Sequence, residues 1–575
     1  MTILGLNGLG INPAACLVKD NHLLAFGAEE RFNRLKESFG AMPKHATAFC
    51  LAQAGVSLAE VDHIAFGWNA PLYRWKMPLF VAKTALQYAS LKGDKGNIYR
   101  AIEQLVKYRP ANVELAIAEM LRSIGYGGAL PNVFYAPHHL AHAASVYYTS
   151  GFDAAHVLVI DGSGENQCTT IYRAEGTRLF PVRSFAIPHS LGWFYQSITE
   201  WLGFSPNSHE GKTMALAAYG QPNAAIRQKL AKMLRLSEGG GYAYVPRFSF
   251  AGRHTQGNVF SADLVALLGQ PRGAHAPIND YHREVAFGAQ QLLEEAAVGL
   301  VRAVVKDPVF SGNLCLAGGV ALNCKMNGVV AQVEGVKQVY VSPVSSDDGS
   351  ALGAAMLCAV QQGEDPRFAM THAYYGPSFL PHEIEQVLQQ AKVGYTRPPS
   401  ITAAVAQLLA EGKIVGWFQG GMEIGARALG HRSILAHPAL LAMRDKVNRE
   451  VKNRETWRPF AASILADDAT LYLKNPQSAP FMAMAFATTP LAVTHLSAAL
   501  HIDGTTRPHL VTSAANPRYY ELIKAFGALT GVNALLNTSL NTNEEPIVCT
   551  PQQALKAFYG SGLDALALGD FLLQK

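Results

Sequence analysis

The sequence predicts an α/β fold divided into two domains, and three observations carry that reading. The chain has 575 residues, more than one hydrophobic core supports. Apolar residues make up 49% and charged residues 16%, the balance of a packed protein, not a disordered one. Short apolar runs that end in small-residue turns alternate with helical patterns along the chain, which is the rhythm of α/β folds.

The strand-like runs are "ILGLNGLG" (3–10), "VLVIDGSGE" (157–165) and "LCLAGGVALN" (314–323). Each reads as a buried strand leading into a backbone-exposing turn. Glycine lets the main chain approach phosphates closely and leaves its amides free to donate, so three such turns around one cleft suit a nucleotide. Helical patterns lie between them, as in "PKHATAFCLAQAG" (43–55) and "EVAFGAQQLLEEAAVGLVRAVVK" (284–306). A Pro- and Gly-bearing stretch at 362–380 reads as a junction. The second block begins near "YYGPSFLPHEIEQVL" (374–388). Segments 70–130, helical and aromatic-basic, and 237–280, loop-dominated, read as insertions of the kind that choose substrates.

Composition narrows the function. The net charge is +5, with Lys+Arg 48 against Asp+Glu 43. So mild an excess points to local anion sites and away from a nucleic-acid face. The seven cysteines are scattered without a C-x-x-C pair, which reads as reduced thiols and excludes a zinc ribbon. The N-terminus lacks a basic leader. The most apolar window, 481–500, is broken by Thr488, Thr489, Pro490 and His495. The expectation is a cytoplasmic protein with no membrane span.

Three histidines fall within "APHHLAHAAS". His138 and His142 are four apart, which on a helix places both imidazoles on one face. His139 points about 100° away. Two acidic turns accompany them, Asp161 in "VIDGSG" and Asp347-Asp348 in "PVSSDDGS". Two imidazoles and two carboxylates make a mixed N/O set suited to iron, manganese or zinc. The second block offers Arg427 and Arg432 in "GARALGHRS", Lys452, Arg454 and Arg458 in "VKNRETWRPF", then Arg507 and the polar turn Asn537-Thr538-Ser539. Guanidinium forks in Gly/Ala/Leu and Trp-Pro-Phe surroundings suit phosphate recognition more than a solvated face. No aromatic ladder accompanies them, which tells against a nucleic-acid groove.

With these motifs in hand, the chain resembles the O-carbamoyltransferase family of antibiotic and nodulation-factor biosynthesis, the nebramycin-synthase type. The resemblance rests on "GAEERFNRLK", "HHLAHAASVYY", "VLVIDGSGE", "GKTMALAAYG", "AGGVALNCKMNG", "VSSDDGSALGAA", "GARALGHRSIL", "VKNRETWRPF" and "LNTSLNTNEEPIV", in that order. It implies an actin-like ATPase domain over 1–365, related to the universal tRNA threonylcarbamoyl transferase. It also implies a YrdC-like α/β domain over 373–575 that forms carbamoyl adenylate from carbamoyl phosphate and ATP. The carbamoyl group then passes to the first domain and on to a hydroxyl of a small-molecule natural product. Carried over by position, the resemblance implies metal ligands at His138, His142, Asp161 and Asp347, with Fe2+ the usual ion and Mg2+ accompanying ATP. It places nucleotide contacts at Gly162, Gly211, Lys212, Gly318, Gly319 and Asn323. Carbamoyl phosphate and phosphate handling fall on Arg427, Lys452, Arg458, Arg507 and Asn537.

One departure bears on mechanism. The family's first strand is followed by a His-Asp-Ser-Ala-Ala-like turn whose histidine is a proposed base for the acceptor hydroxyl. Here that turn reads Gly10-Ile11-Asn12-Pro13-Ala14-Ala15, with Ile11 in the histidine's place. His139, His209 and an acceptor that needs no base are the three alternatives. Two other functions compete with the leading one. One is a threonylcarbamoyl-type tRNA-modifying enzyme, against which the mild charge and the insertions speak. The other is a non-catalytic actin-like ATP-binding scaffold.

Overall fold

The computed structural model describes residues 1–88, 96–249 and 260–575. Parts of both expected insertions, 89–95 and 250–259, lie outside the described residues. The N-terminal half holds two five-stranded sheets. The first contains β1 (Thr2–Asn7), β2 (Ala14–Lys19), β3 (His22–Ala28), β4 (His63–Phe66) and β5 (Asn132–Tyr135), in the order β3-β2-β1-β4-β5. The second contains β6 (Ala154–Gly164), β7 (Gln167–Glu175), β8 (Arg178–Ala186), β11 (Asn313–Ala317) and β12 (Gln338–Val341), in the order β12-β11-β6-β7-β8. Between β8 and β11 in sequence comes a small hairpin, β9 (Leu234–Ser237) and β10 (Gly241–Tyr244).

The two sheets share one topology. In each, the first strand is central, runs antiparallel to the second and parallel to the fourth. This duplication is the expected actin-like architecture. The central strands are covered on both faces, which is why β1 reads as a continuous apolar run, TILGLN, buried at every position. The helix Gly349–Gln361 lies against β1, β2 and β4, and the helix His138–Tyr147 lies against β6 and β11. These two helices also pack on each other, so they fill the space between the sheets. Their small residues permit this. A Cβ built at Gly353 would stand 1.8 Å from the Ala141 carbonyl oxygen, where ordinary contact begins at 3.4 Å.

The segment 70–130 is helical where described, with helices at Lys76–Tyr88, Gly96–Lys107 and Pro110–Ser123. The segment 237–280 departs from a pure loop. It completes the β9–β10 hairpin and adds a short helix, Ala262–Leu268.

The C-terminal half is built on a mixed seven-stranded sheet of order β18-β15-β19-β14-β13-β20-β21. Its strands are β13 (Val415–Phe418), β14 (Arg432–Ala436), β15 (Ala461–Leu465), β18 (Pro508–Val511), β19 (Ala534–Ser539), β20 (Ala565–Leu568) and β21 (Phe571–Gln574). A two-stranded ribbon, β16 (Phe486–Ala487) with β17 (Thr505–Thr506), lies beside it. The halves meet over a continuous apolar core. One cluster of buried side chains runs from Leu158, Leu316 and Met326 to Trp417, Leu465 and Tyr472. Backbone contacts stitch the same seam. Ala485 N donates to Cys324 O at 2.9 Å, and Asn327 Nδ2 donates to Ala483 O at 2.8 Å. A Cβ at Gly328 would meet the Ala485 carbonyl oxygen at 2.1 Å, so glycine sets the closeness of this approach.

Candidate functional site

The first part of the site grows from one helix N-terminus. Pro137 precedes the helix His138–Tyr147 and His138 is its first residue, a position where proline's missing N–H costs nothing. One turn on, His142 faces the same way, and the two Nε2 atoms lie 3.1 Å apart. Asp161 near the end of β6 and Asp347 in the turn after β12 complete the group. His138 Nε2 is 3.5 Å from Asp161 Oδ2 and 3.7 Å from Asp347 Oδ1, and His142 Nε2 is 3.5 Å from Asp347 Oδ1. One donor atom from each of the four residues lies within 4.8 Å of the others.

Neighbouring groups fix these ligand atoms. The Gly67 carbonyl lies 3.0 Å from His138 Nδ1. A carbonyl only accepts, so Nδ1 carries a proton and Nε2 is the ring atom left to face the carboxylates. Gly319 N donates to Asp161 Oδ1 at 3.0 Å, and a Cβ at Gly164 would meet His138 Cδ2 at 2.4 Å. Burial opposes charge on His138, but the hydrogen-bonding carboxylates of Asp161 and Asp347 outweigh it and hold its pKa well above the ordinary value. Asp161 is shifted the other way, as the surrounding imidazoles overcome its burial. Two convergent imidazoles and two carboxylates, with His138, His142 and Asp161 buried and Asp347 partly so, fit a divalent metal of N/O preference.

His139 lies outside this group. It is fully buried, its Nδ1 is 2.8 Å from Thr170 Oγ1, and burial pushes its pKa down to about 3. It lines neither cavity of the site, which removes it as the base for an incoming hydroxyl.

Asp161 and Asp347 form part of the wall of a cavity of about 500 Å³ between the two halves of the chain. Gly162, Gly211, Lys212, Gly319, Asn323, Arg427, Lys452 and Arg458 also line it, together with Ile11 and His209. Gly318 does not. Its φ of +86° and the Ile160 carbonyl oxygen, 2.2 Å from where a Cβ would be, mark it as a turn residue. Asn323 caps the helix Cys324–Val330 and exchanges hydrogen bonds with Gln290 at 2.9 and 3.1 Å. Lys212 faces Glu455 at 3.4 Å and Glu544 at 3.7 Å, and His209 Nε2 is 3.2 Å from the Glu544 carboxylate.

A second cavity of about 200 Å³ abuts the first. Gly211, Arg427, Arg454, Arg458 and Ser539 line both, and Arg507 and Asn537 line the smaller one. Burial, then the charges of Arg507 and Arg458, push Arg427 towards neutrality, a strain that a bound anion relieves. Lys452 is buried and donates to Ser539 O at 2.5 Å, Asn541 Oδ1 at 2.6 Å and Asn541 O at 3.0 Å. Burial and the adjacent Arg454 and Arg458 hold its pKa well below the usual lysine value. Arg432 proves to be structural. It is fully buried, packs on Phe418 at 3.6 Å and donates to the carbonyls of Pro377, at 2.9 Å, and of Gly420, at 3.1 Å.

Sequence reasoning missed Asn541, Glu455 and Glu544. The run Asn541–Pro546 reads as an ordinary polar turn, and only the fold shows that it reaches the other half of the chain. Arg34 of the N-terminal half donates to Pro546 O at 2.6 Å and Ile547 O at 2.7 Å.

Comparison with known proteins adds the following. The family profile Carbamoyltransferase N-terminus matches residues 2–356, and Carbamoyltransferase C-terminus matches residues 406–575. An uncharacterized protein of Synechocystis sp. is 35% identical over 610 residues, covering 100% of this chain and 96% of the relative. Nodulation protein NolNO of Sinorhizobium fredii is 32% identical over 578 residues, covering 98% of this chain and 78% of the relative. A 3'-hydroxymethylcephem-O-carbamoyltransferase of Amycolatopsis lactamdurans is 30% identical over 320 residues, covering 54% of this chain and 60% of the relative.

Proposed function

The chain belongs to the carbamoyltransferase family, and on that premise we propose that it is an ATP-dependent O-carbamoyltransferase acting in two steps on a small-molecule hydroxyl. The observation that carries this reading is the pair of abutting cavities with a shared wall of Arg427, Arg454 and Arg458, the smaller also lined by Arg507 and Asn537, the larger by Lys452, Asp161 and Asp347. In the first step, water cleaves carbamoyl phosphate to carbamate and inorganic phosphate, and a carbamate oxygen then bonds to the α-phosphorus of ATP as pyrophosphate leaves, giving carbamoyl adenylate. Arg427, Arg458 and Arg507 hold phosphate oxygens, and Lys452 fixes the reacting end among Ser539 and Asn541. The intermediate moves along the shared wall without leaving the protein, which limits its hydrolysis.

In the second step, Lys212 and the turns at Gly162 and Gly319 hold the adenylate phosphate. The acceptor oxygen bonds to the carbamoyl carbon, the bond from that carbon to the adenylate oxygen breaks, and AMP leaves. Of the histidines considered as base, only His209 lines this cavity. His138, His142, Asp161 and Asp347 would hold Fe2+ or a similar divalent ion, which when bound stabilises charge on the departing phosphate. Mg2+ accompanies ATP. An alcohol as acceptor is supported by the cephem O-carbamoyltransferase among the relatives.

The test is incubation of the full chain with ATP, carbamoyl phosphate, Fe2+ and Mg2+. The expected products are AMP and pyrophosphate, and compounds from the source organism's extract should gain one carbamoyl mass. ADP as the only nucleotide product would sink the proposal.

A further inference from the structure

The acceptor hydroxyl must lose a proton as its oxygen bonds to the carbamoyl carbon. The group that takes it must line the larger cavity and have a lone pair to spare. His209 has none. Ser205 N donates to its Nδ1 at 3.1 Å, so its Nε2 carries the hydrogen and points it at Glu544. Asp161 and Asp347 belong to the metal group. Glu544 is held by His209, Lys212 and Lys36, which overcome its burial and keep its pKa below the usual value. Glu30 is paired with Arg31 Nη1 at 2.9 Å and accepts from Glu37 N at 2.7 Å. Glu545 accepts from Thr542 Oγ1 at 2.6 Å within its own loop, and Glu210 accepts from Asn207 N at 2.7 Å at the start of its own helix.

Glu37 remains. It lines the larger cavity, and its carboxylate takes a side-chain hydrogen bond from Ser208 and forms no ion pair among the described residues. Burial raises its pKa above the ordinary carboxylate value; Ser208 and Lys36 oppose that rise, and Glu30 and Glu544 add to it. The backbone sets its position. Asn12 N donates to Glu37 O at 3.1 Å, Gly40 N to Gly10 O at 2.8 Å and Leu9 N to Ala41 O at 2.9 Å, so the segment 37–41 lies along the turn that follows β1. Asn12 Nδ2 also reaches Ser346 Oγ at 3.4 Å, which links the same turn to the loop that carries Asp347. Four residues with side chains adopt left-handed backbone here, Leu9 at φ +65°, Asn12 at +50°, Glu37 at +62° and Ser38 at +40°. Such strain persists only where the surroundings impose it, and it gathers at functional sites.

We propose that Glu37 is the base of the second step, its carboxylate taking the proton from the acceptor hydroxyl as that oxygen bonds to the carbamoyl carbon. The bond from that carbon to the adenylate oxygen breaks, AMP keeps the electron pair, and the proton on Glu37 passes on to water. This rests on the reading of the larger cavity as the place of carbamoyl transfer to a hydroxyl.

The experiment gives the full chain Fe2+, Mg2+, ATP, carbamoyl phosphate and the source organism's extract, and follows the rate at which compounds gain a carbamoyl mass. In a parallel arm hydroxylamine, a nucleophile that needs no base, replaces the extract, and AMP release is read. Glu37→Gln should slow carbamoylation of the extract roughly 100-fold or more, while AMP release with hydroxylamine stays close to that of the wild type. Glu37→Asp, which keeps a carboxylate, should recover part of the lost rate. An unchanged rate with the extract in Glu37→Gln overturns the inference, and a matching loss in Glu210→Gln then moves the role to Glu210. Loss of both arms in Glu37→Gln also overturns it, since a residue that only shapes the site affects both nucleophiles. A wild type that carbamoylates nothing in the extract defeats the reading beneath, whatever the variants do.

Discussion

Gly353→Ala tests how the His/Asp group is held without touching any of its members. The added Cβ would lie 1.8 Å from the Ala141 carbonyl oxygen, about 1.6 Å inside the 3.4 Å at which ordinary contact begins. The obstruction is backbone, so no side chain can swing aside. Either the helix Gly349–Gln361 or the helix His138–Tyr147 must shift by an ångström or more. Ala141 lies between His138 and His142, so the shift passes directly to both imidazoles. Metal sites tolerate displacements of about 0.2 Å before ligand distances fall outside their range. Overpacking of this kind also costs about 1–3 kcal/mol of stability. The variant should therefore melt several degrees lower and retain less added divalent metal than the wild type, measured as metal per chain after desalting. Its carbamoyl adenylate formation, which depends on the other half, should persist at a temperature where both proteins are folded. A variant that keeps full metal content would refute the argument that this glycine contact sets the ligand positions.

Three further outcomes follow from the site. His138→Ala and His142→Ala should each abolish metal retention and carbamoyl transfer while sparing carbamoyl adenylate formation, whereas His139→Ala should keep the metal; metal analysis and product assays decide. Lys452→Ala should cut AMP formation by roughly 100-fold or more, because a buried donor held by the acceptors of Ser539 and Asn541 is lost from the reacting site, and an unchanged rate in a steady-state assay would remove Lys452 from the first step. Glu210 gives a pH dependence. Burial pushes its carboxyl from 4.5 up to about 7, so between those values the folded chain binds more protons than the unfolded one. Its contribution is fully present below about 4.5 and is lost as pH rises through about 7, by up to about 3 kcal/mol. Glu210→Gln should flatten this fall in urea melts, and an unchanged pH profile would contradict it.

Much of this was legible in the sequence because the relevant signals are local. The i,i+4 spacing of His138 and His142, and glycine turns after apolar runs, report geometry within one element. The acidic turns at Asp161 and Asp347-Asp348 stood out as partners for the histidines, but the choice of Asp347 came from the family resemblance, since 186 positions in chain numbering separate it from Asp161 and strand order alone unites them. Arg432 misled for the opposite reason. Its Gly-rich context is the same as that of Arg427, and only its seat within β14 shows that its two terminal NH2 groups are taken by backbone carbonyls. The reach of the Asn541–Pro546 loop into the other half has no local signature at all. Among the described residues, no helix is long and apolar enough to cross a membrane, and the 481–500 window instead contributes Phe481, Met484 and Leu496 to the core.

Glu544 gives the cavity an internal counter-ion. Its carboxylate lies 3.2 Å from His209, 3.7 Å from Lys212 and 3.9 Å from Lys36, all on the opposite half of the chain. Entry of a phosphate at Lys212 is therefore an exchange of one anion for another, not the filling of a bare cationic hole. Small monovalent ions gain little from such an exchange, because they bring no more charge than they displace. A phosphate that arrives with greater charge and several acceptor oxygens gains more. The site thus discounts the salt of its surroundings, and its affinity should fall less steeply with ionic strength than the number of its lysines and arginines would imply.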